Sequence, residues 1–190
     1  MMRTILCGAI TAWAVLSGAS SGPAQKPVIE EPLFNTHSAP PPSVSEMAQE
    51  ANAVVVGTYT GAKHVIDTPI PGVESLRTTA FTFELTEVLK LDPHLPNVGQ
   101  TIDVVLPGGE KELATQIHRL RLANADELIS DHAYVVFFRW NQFNNELSPA
   151  WIQDSLYDVS AETVRGVGRS SPLQDGLSSA AFLETLRNLQ

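Results

Sequence analysis

The chain has 190 residues, the size of one domain rather than of a multidomain enzyme. Its 12 basic and 21 acidic residues give a formal net charge of −9, which repels the phosphate backbone and argues against nucleic acid as a partner. The single cysteine excludes an internal disulfide framework and a multi-cysteine zinc site.

Residues 1–24 have the pattern of a secretory signal peptide. Arg3 supplies a positive start, an apolar stretch covers residues 5–16, and small residues follow as far as Ala24. The apolar stretch is shorter than the roughly 20 residues of a membrane helix, so we expect cleavage rather than anchoring. The pattern predicts an exported protein, periplasmic or extracellular, without an integral membrane segment after cleavage. Cleavage would also remove Cys7 and leave a mature chain without thiols.

A linker is predicted between the signal peptide and the folded domain. Residues 25–42 contain five prolines and lack an apolar period, which is typical of a disordered, extended segment. The folded domain is expected to span residues 43–190. It begins with Ser43-Val-Ser-Glu46, which has the form of a capping box and predicts a short helix to about Ala51.

Continuous or alternating apolar runs predict five strands, at residues 53–60, 78–91, 101–106, 133–140 and 155–159. Gly57 lies inside the first run, where a glycine marks a bulge or a bend. Turn residues between 67 and 72 separate the first two runs. We therefore expect those two strands to form an antiparallel hairpin with an exposed tip.

The second run has the clearest alternation. Phe81, Phe83 and Leu85 point to one face, with polar residues between them. Strict alternation would then bury Glu87, so we expect a bulge near Glu87 that returns Val88 to the apolar face. A long strand with a bulge bends.

Residues 110–132 fit two structures. Three apolar residues between 113 and 120 share one helical face, but Leu120 and Leu122 also fit the end of a strand. We favour a strand over about 115–122 followed by a loop, and a helix stays the alternative.

The last predicted element is a helix over residues 178–190. Ser178 or Ser179 can cap it, and four apolar residues follow at helical spacing: Phe182, Leu183, Leu186 and Leu189. We expect this apolar stripe to dock on the strands or to cover an open end of them.

The chain resembles exported bacterial β-barrel domains in the order of its elements: a helix, the strands AVVVGTYTG, FTFELTEVLK, TIDVVLPGG and AYVVFFRW, and a closing helix. These domains are of the oligonucleotide/oligosaccharide-binding (OB), netrin-like type, the barrel that tissue inhibitors of metalloproteinases also use. The resemblance covers about residues 45–165. It implies a mainly β fold, a five- to six-stranded antiparallel OB-like barrel with a short N-terminal helix and a C-terminal helix. It carries over no inhibitory residue, because the N-terminal cysteine and the disulfides of those inhibitors have no counterpart here.

Aromatic residues around the polar stretch 141–149 form the candidate binding site, and these are Trp140, Phe143, Trp151 and Tyr157. If the rings project, they form a platform for a protein or a glycan, since aromatic residues carry much of the binding energy at interfaces. If they fold inward they belong to the core, which is the more common position of large aromatic residues. We expect the binding rim to combine the tip of the hairpin at 61–77 with the loop at 141–152.

The sequence contains no pattern for catalysis, for a metal or for a cofactor. Its five histidines lack metal-binding spacing, and no serine lies in a nucleophile elbow. Asp131-His132 would form a site only if another histidine or carboxylate approached it. We predict a non-catalytic binding or protein-interaction module of the cell envelope. The alternative is a small hydrolase with a carboxylate or Asp–His site.

Overall fold

The computed structural model describes residues 26–33, 42–68, 76–95, 98–122, 126–142, 146–168, 172–173 and 176–189. The predicted signal peptide and the tip of the predicted hairpin lie outside these ranges. Within them, neither of the two helices is long and apolar enough to cross a lipid bilayer.

The described part of the chain is mainly β. Its strands are β1 (Val28–Leu33), β2 (Ala53–Thr68), β3 (Leu76–Leu91), β4 (Thr101–Pro107), β5 (Gly109–Glu112), β6 (Ile117–Leu122), β7 (Ala133–Asn141), β8 (Glu146–Pro149), β9 (Leu156–Asp158) and β10 (Arg165–Gly166). Its helices are α1 (Val44–Glu50), α2 (Ser179–Asn188) and a short 3-10 helix, Ile152–Ser155.

The strands form two sheets. Seven strands make the larger sheet in the order β10-β9-β7-β2-β3-β4, with β8 also paired to β7, and all of its pairs are antiparallel. The smaller sheet has the order β1-β6-β5, and β1 runs parallel to β6. The predicted mainly β, largely antiparallel fold with a helix near each end is confirmed. Within the described residues no strand pairing joins β10 to β4, so barrel closure stays a prediction.

The pairing of β2 with β3 shifts register three times. One shift lies between Val56 and Gly57, as the sequence predicts. A Cβ atom at Gly57 would lie 3.1 Å from the backbone oxygen of Glu84, so the close approach of β3 favours glycine there. A bulge of this kind increases the local twist of the hairpin.

The same register shift is the bulge predicted near Glu87. Thr86 is the extra residue of β3, and Val88 pairs with Val55 on the face that the alternation predicts. The side chain of Val88 nevertheless stays 44% exposed, whereas Leu89 is buried. A further register shift makes Leu89 the extra residue opposite β2, and its side chain is buried on the opposite face of the sheet from Phe83.

Two clusters of buried side chains lie on opposite faces of the larger sheet. Val54 and Val56 of β2 belong to the first cluster, and Ala53 and Val55 belong to the second, as strand alternation requires. Both helices cover the first cluster, through buried residues that include Met47, Phe182 and Leu186. The docking of the C-terminal helix is thus confirmed, although Leu189 at its end is 39% exposed.

The start of α1 agrees with its sequence pattern. The Ser43 side chain accepts a hydrogen bond from the Glu46 N–H, and the Glu46 side chain accepts one from the Ser43 N–H. These reciprocal bonds satisfy backbone donors that a helix leaves free at its first turn.

Two predicted segments differ from the structure, and in a third the structure decides between the alternatives that the sequence left open. Val28–Leu33 lies inside the predicted disordered linker but forms β1, because its backbone pairs with β6. Residues 117–122 form the strand β6, as favoured, and the helix alternative is wrong there. The predicted strand at 155–159 is shorter than expected, since residues up to Ser155 form the 3-10 helix.

Candidate functional site

A cleft of about 800 Å³ lies between the two sheets. One wall is the smaller sheet, and the other is formed by the outer half of the β2-β3 hairpin and the end of β4. Its apolar surface comes mainly from Val65, Phe81, Leu106, Leu120 and Leu128. Because Phe81, Leu106 and Leu128 also belong to or pack against the second core cluster, the cleft opens onto the core of the larger sheet.

The Pro-Gly-Gly sequence that ends β4 positions the smaller sheet. Gly108 has a φ angle of 102°, and a Cβ there would lie 2.6 Å from the backbone oxygen of Leu120. A Cβ at Gly109 would lie 2.5 Å from Oγ1 of Thr79, whose hydroxyl donates a hydrogen bond of 2.8 Å to the Gly108 carbonyl. Two adjacent glycines therefore allow the chain to pass from one sheet to the other in close contact with both.

Tyr59 supplies an aromatic part of the cleft surface. Its ring meets Phe81 edge-on at a centroid distance of 5.7 Å and lies 5.5 Å from the ring of Phe83. Burial raises the pKa of Tyr59, so its hydroxyl stays neutral at physiological pH. This part of the cleft therefore presents an uncharged surface.

Charged residues line the rim, and most of them are paired within the chain. Arg119 contacts Glu110 at 2.7 Å and Glu30 at 3.0 Å, and these carboxylates raise its pKa. Arg121 pairs with Glu127. The paired arginines leave little free positive charge for an anionic ligand.

Asp67 ties the smaller sheet to the hairpin. Its carboxylate accepts a hydrogen bond of 2.6 Å from Lys111 on β5 and one of 3.0 Å from Arg77 on β3. These two cations lower the pKa of Asp67. The ion pairs therefore hold β5 beside the end of the hairpin.

The predicted aromatic platform is only partly possible in this fold. Tyr157 is fully buried in the first core cluster, packed against Phe137 and Phe182, which is the inward position that we favoured for large aromatic residues, so it cannot be part of a surface platform. The reason is register, because Tyr157 on β9 pairs with Val135 of β7 on the face that the helices cover.

The two tryptophans of the predicted platform are half-buried. Trp151 packs against the first core cluster, with the guanidinium of Arg139 4.4 Å from the centre of its ring. The backbone N–H of Trp140 donates a hydrogen bond of 2.9 Å to Oδ1 of the Asn52 side chain. Phe143 lies outside the described residues. Neither tryptophan lines the cleft, so their role in binding stays a prediction.

The rim predicted from the sequence contributes one of its two segments to the cleft. The hairpin segment 61–77 is represented by Lys63 and Val65, which line the cleft. Described residues of the other segment, 141–152, do not line it. The sequence did not predict β1 or its pairing with β6, because no local pattern indicates contact between segments so far apart in the chain.

His132 does have an acidic partner, but it is not Asp131. Its Nδ1 donates a hydrogen bond of 2.8 Å to Asp158, which also lies 3.5 Å from Arg165 and accepts a 3.0 Å bond from the Ser160 N–H. Burial raises the pKa of Asp158, but the bonds from His132 and Ser160 outweigh burial and bring the pKa below its usual value. The contact links the start of β7 to the end of β9.

The described residues contain no group of three or more histidine, cysteine, aspartate or glutamate side chains placed to hold a metal ion. Comparison with known proteins finds no family model that matches the chain and no curated protein that matches its sequence.

Proposed function

We propose that the protein is an exported, non-catalytic binding module of the cell envelope that receives a segment of a partner protein in the cleft between its two sheets. The cleft is the observation that carries this proposal. A concave surface with an apolar interior and a charged rim is the usual form of a binding site. The aliphatic side chains of Val65, Leu106 and Leu120 favour apolar side chains of a protein over the hydroxyl groups of a glycan.

The sequence supports export. Residues 1–24 have the three parts of a signal peptide, and the chain beyond them contains no cysteine. A thiol-free domain avoids mispairing in an oxidising compartment.

A curled, OB-like arrangement of the larger sheet is part of the proposal. β4 is the edge strand at one end of the larger sheet. It nevertheless contacts β8 and the 3-10 helix, which come after β7 in the chain and lie towards the other end of the sheet. An approach of the two sides of one sheet is what a partly open barrel requires. It supports the barrel that the resemblance implies.

The proposal is tested by filling the cleft. Val65 lines the cleft and is 40% exposed, whereas Val88 is 44% exposed and lies away from it, so Val65→Trp and Val88→Trp form a matched pair. We expect the mature chain and its Val88→Trp variant to capture the same protein from an envelope fraction, and Val65→Trp to lose it. Equal capture by all three, with equal melting temperatures, would remove the cleft as the binding site.

A small hydrolase is the second candidate function, and the His132–Asp158 contact favours it. A carboxylate bound to Nδ1 leaves Nε2 as a base, as in the His–Asp part of a hydrolytic triad. Hydrolysis of p-nitrophenyl esters by the pure chain, abolished by His132→Gln, would establish this function. Under the binding proposal we expect the same low rate from both proteins.

A further inference from the structure

The described side chains of β1, those of residues 28–32, do not contribute to the core of the molecule. The side chains of residues 27–32 are exposed, including Val28 at 44% and Ile29 at 41%. None of these described side chains belongs to either core cluster. The strand is held by its parallel pairing with β6 and by ion pairs at the surface. Such an element opens at a low free-energy cost compared with a core strand.

The ion pairs give the β1 position a defined charge preference. Glu30 lies 3.0 Å from Arg119, and Glu31 lies 2.9 Å from Nε2 of His118, so two adjacent acidic residues face two adjacent basic residues of β6. At the start of the strand, Lys26 pairs with Glu112 at 2.6 Å. The edge of β6 therefore selects an extended segment with a basic start and an acidic middle.

The same strand forms part of the cleft. Glu30, Glu31 and Pro32 line it, so any strand that took the place of β1 would present its own side chains there. Addition of a strand to a sheet edge is an established mode of peptide recognition, in which backbone hydrogen bonds supply affinity and side chains supply specificity.

We propose that the edge of β6 is a strand-addition site for an extended partner segment with two adjacent acidic residues, and that β1 is the chain's own occupant of that site. This inference rests on the proposed function, because it specifies which kind of segment enters the cleft. It explains why a strand of exposed residues is paired in parallel with β6, to which it brings complementary charges.

The test uses the full chain and a fluorescent peptide of residues 26–33, KPVIEEPL. In the unaltered chain β1 competes with the peptide at an effective concentration on the order of millimolar, so binding is weak. The double change Glu30→Lys and Glu31→Lys places positive charge opposite Arg119 and His118 and should release β1. We expect this variant to bind KPVIEEPL at least about tenfold more tightly than the unaltered chain, as measured by fluorescence anisotropy.

Charge reversal provides the controls. The charge-reversed peptide KPVIKKPL should not bind the Glu30→Lys, Glu31→Lys chain. It should bind a chain with Arg119→Glu, because the introduced carboxylate repels the native β1 and attracts the lysines of the peptide. Circular dichroism verifies that both variants fold, which we expect because residues 27–32 are exposed and Arg119 is not part of either core cluster. Equal binding of the two peptides, or binding of neither peptide to a folded variant, would overturn the inference.

The outcomes separate this inference from the proposed function. If the peptides fail to bind while Val65→Trp still abolishes capture of the envelope protein, the cleft binds a partner without strand addition. If Val65→Trp leaves capture unchanged, the proposed function fails irrespective of the peptide result.

Discussion

Gly108 illustrates how a single residue determines the distance between the two sheets. Its φ angle of 102° is unfavourable for residues with a side chain, and a Cβ would meet the Leu120 backbone oxygen at 2.6 Å. Gly108→Ala should lower the free energy of unfolding by about 1–3 kcal/mol, measured by urea denaturation. Gly99→Ala is the matched control, since the nearest atom to its Cβ lies 3.7 Å away. Equal stability of the two variants would mean that the turn does not constrain the sheets.

Asp158 should make the stability of the protein depend on pH. Its folded-state pKa lies below the usual value of 3.8, so the stabilisation is present above pH 3.8 and is lost as the pH falls through the folded-state pKa. Asp158→Asn should lower stability at pH 7 and weaken the loss of stability in acid.

Urea denaturation at several pH values measures this effect of Asp158. Glu162→Gln, at an exposed position, is the control and should retain the acid dependence of the unaltered chain. An Asp158→Asn variant with unchanged acid dependence would show that the contact with His132 does not stabilise the fold.

At the scale of elements, α2 acts as a cover for the first core cluster. Phe182 is 1% exposed and packs against Tyr157, whereas Leu189 at the end of the helix is 39% exposed. Phe182→Ala should lower the free energy of unfolding by about 3–5 kcal/mol, and Leu189→Ala should change it far less. Thermal and urea unfolding measure both. Similar effects of the two changes would contradict the docked position of α2.

Elements that are indicated by patterns among neighbouring residues were predictable from the sequence. Elements that form only by pairing with a strand far away in the chain were not. The capping box at Ser43 and the alternation around Phe83 are read from neighbouring residues, and both are present. β1 has no such signal, because its proline and two glutamates are typical of a linker. Its ion pair joins Glu30 to Arg119, which lies 89 residues further along the chain. The contact between His132 and Asp158, which are 26 positions apart, likewise has no local signal.

At the scale of the whole molecule, the cleft depends on the relation between the two sheets. Its position could not be predicted, because it requires the passage of the chain through Gly108 and Gly109 and the return of β1 to β6. On the hairpin side of the predicted binding rim, Lys63 and Val65 line the cleft, and their role in binding stays a prediction. The aromatic side, with Trp140 and Trp151, is spatially separate from the cleft lining.

The most direct test of the binding proposal compares these two surfaces. Hydrogen exchange followed by mass spectrometry, with and without the captured partner, reports which backbone amides the partner protects. We expect protection in residues 59–66, 78–82 and 105–121, which border the cleft, and unchanged exchange in residues 146–151. Protection limited to residues 146–151 would place the partner on the tryptophan surface and contradict the cleft as its binding site.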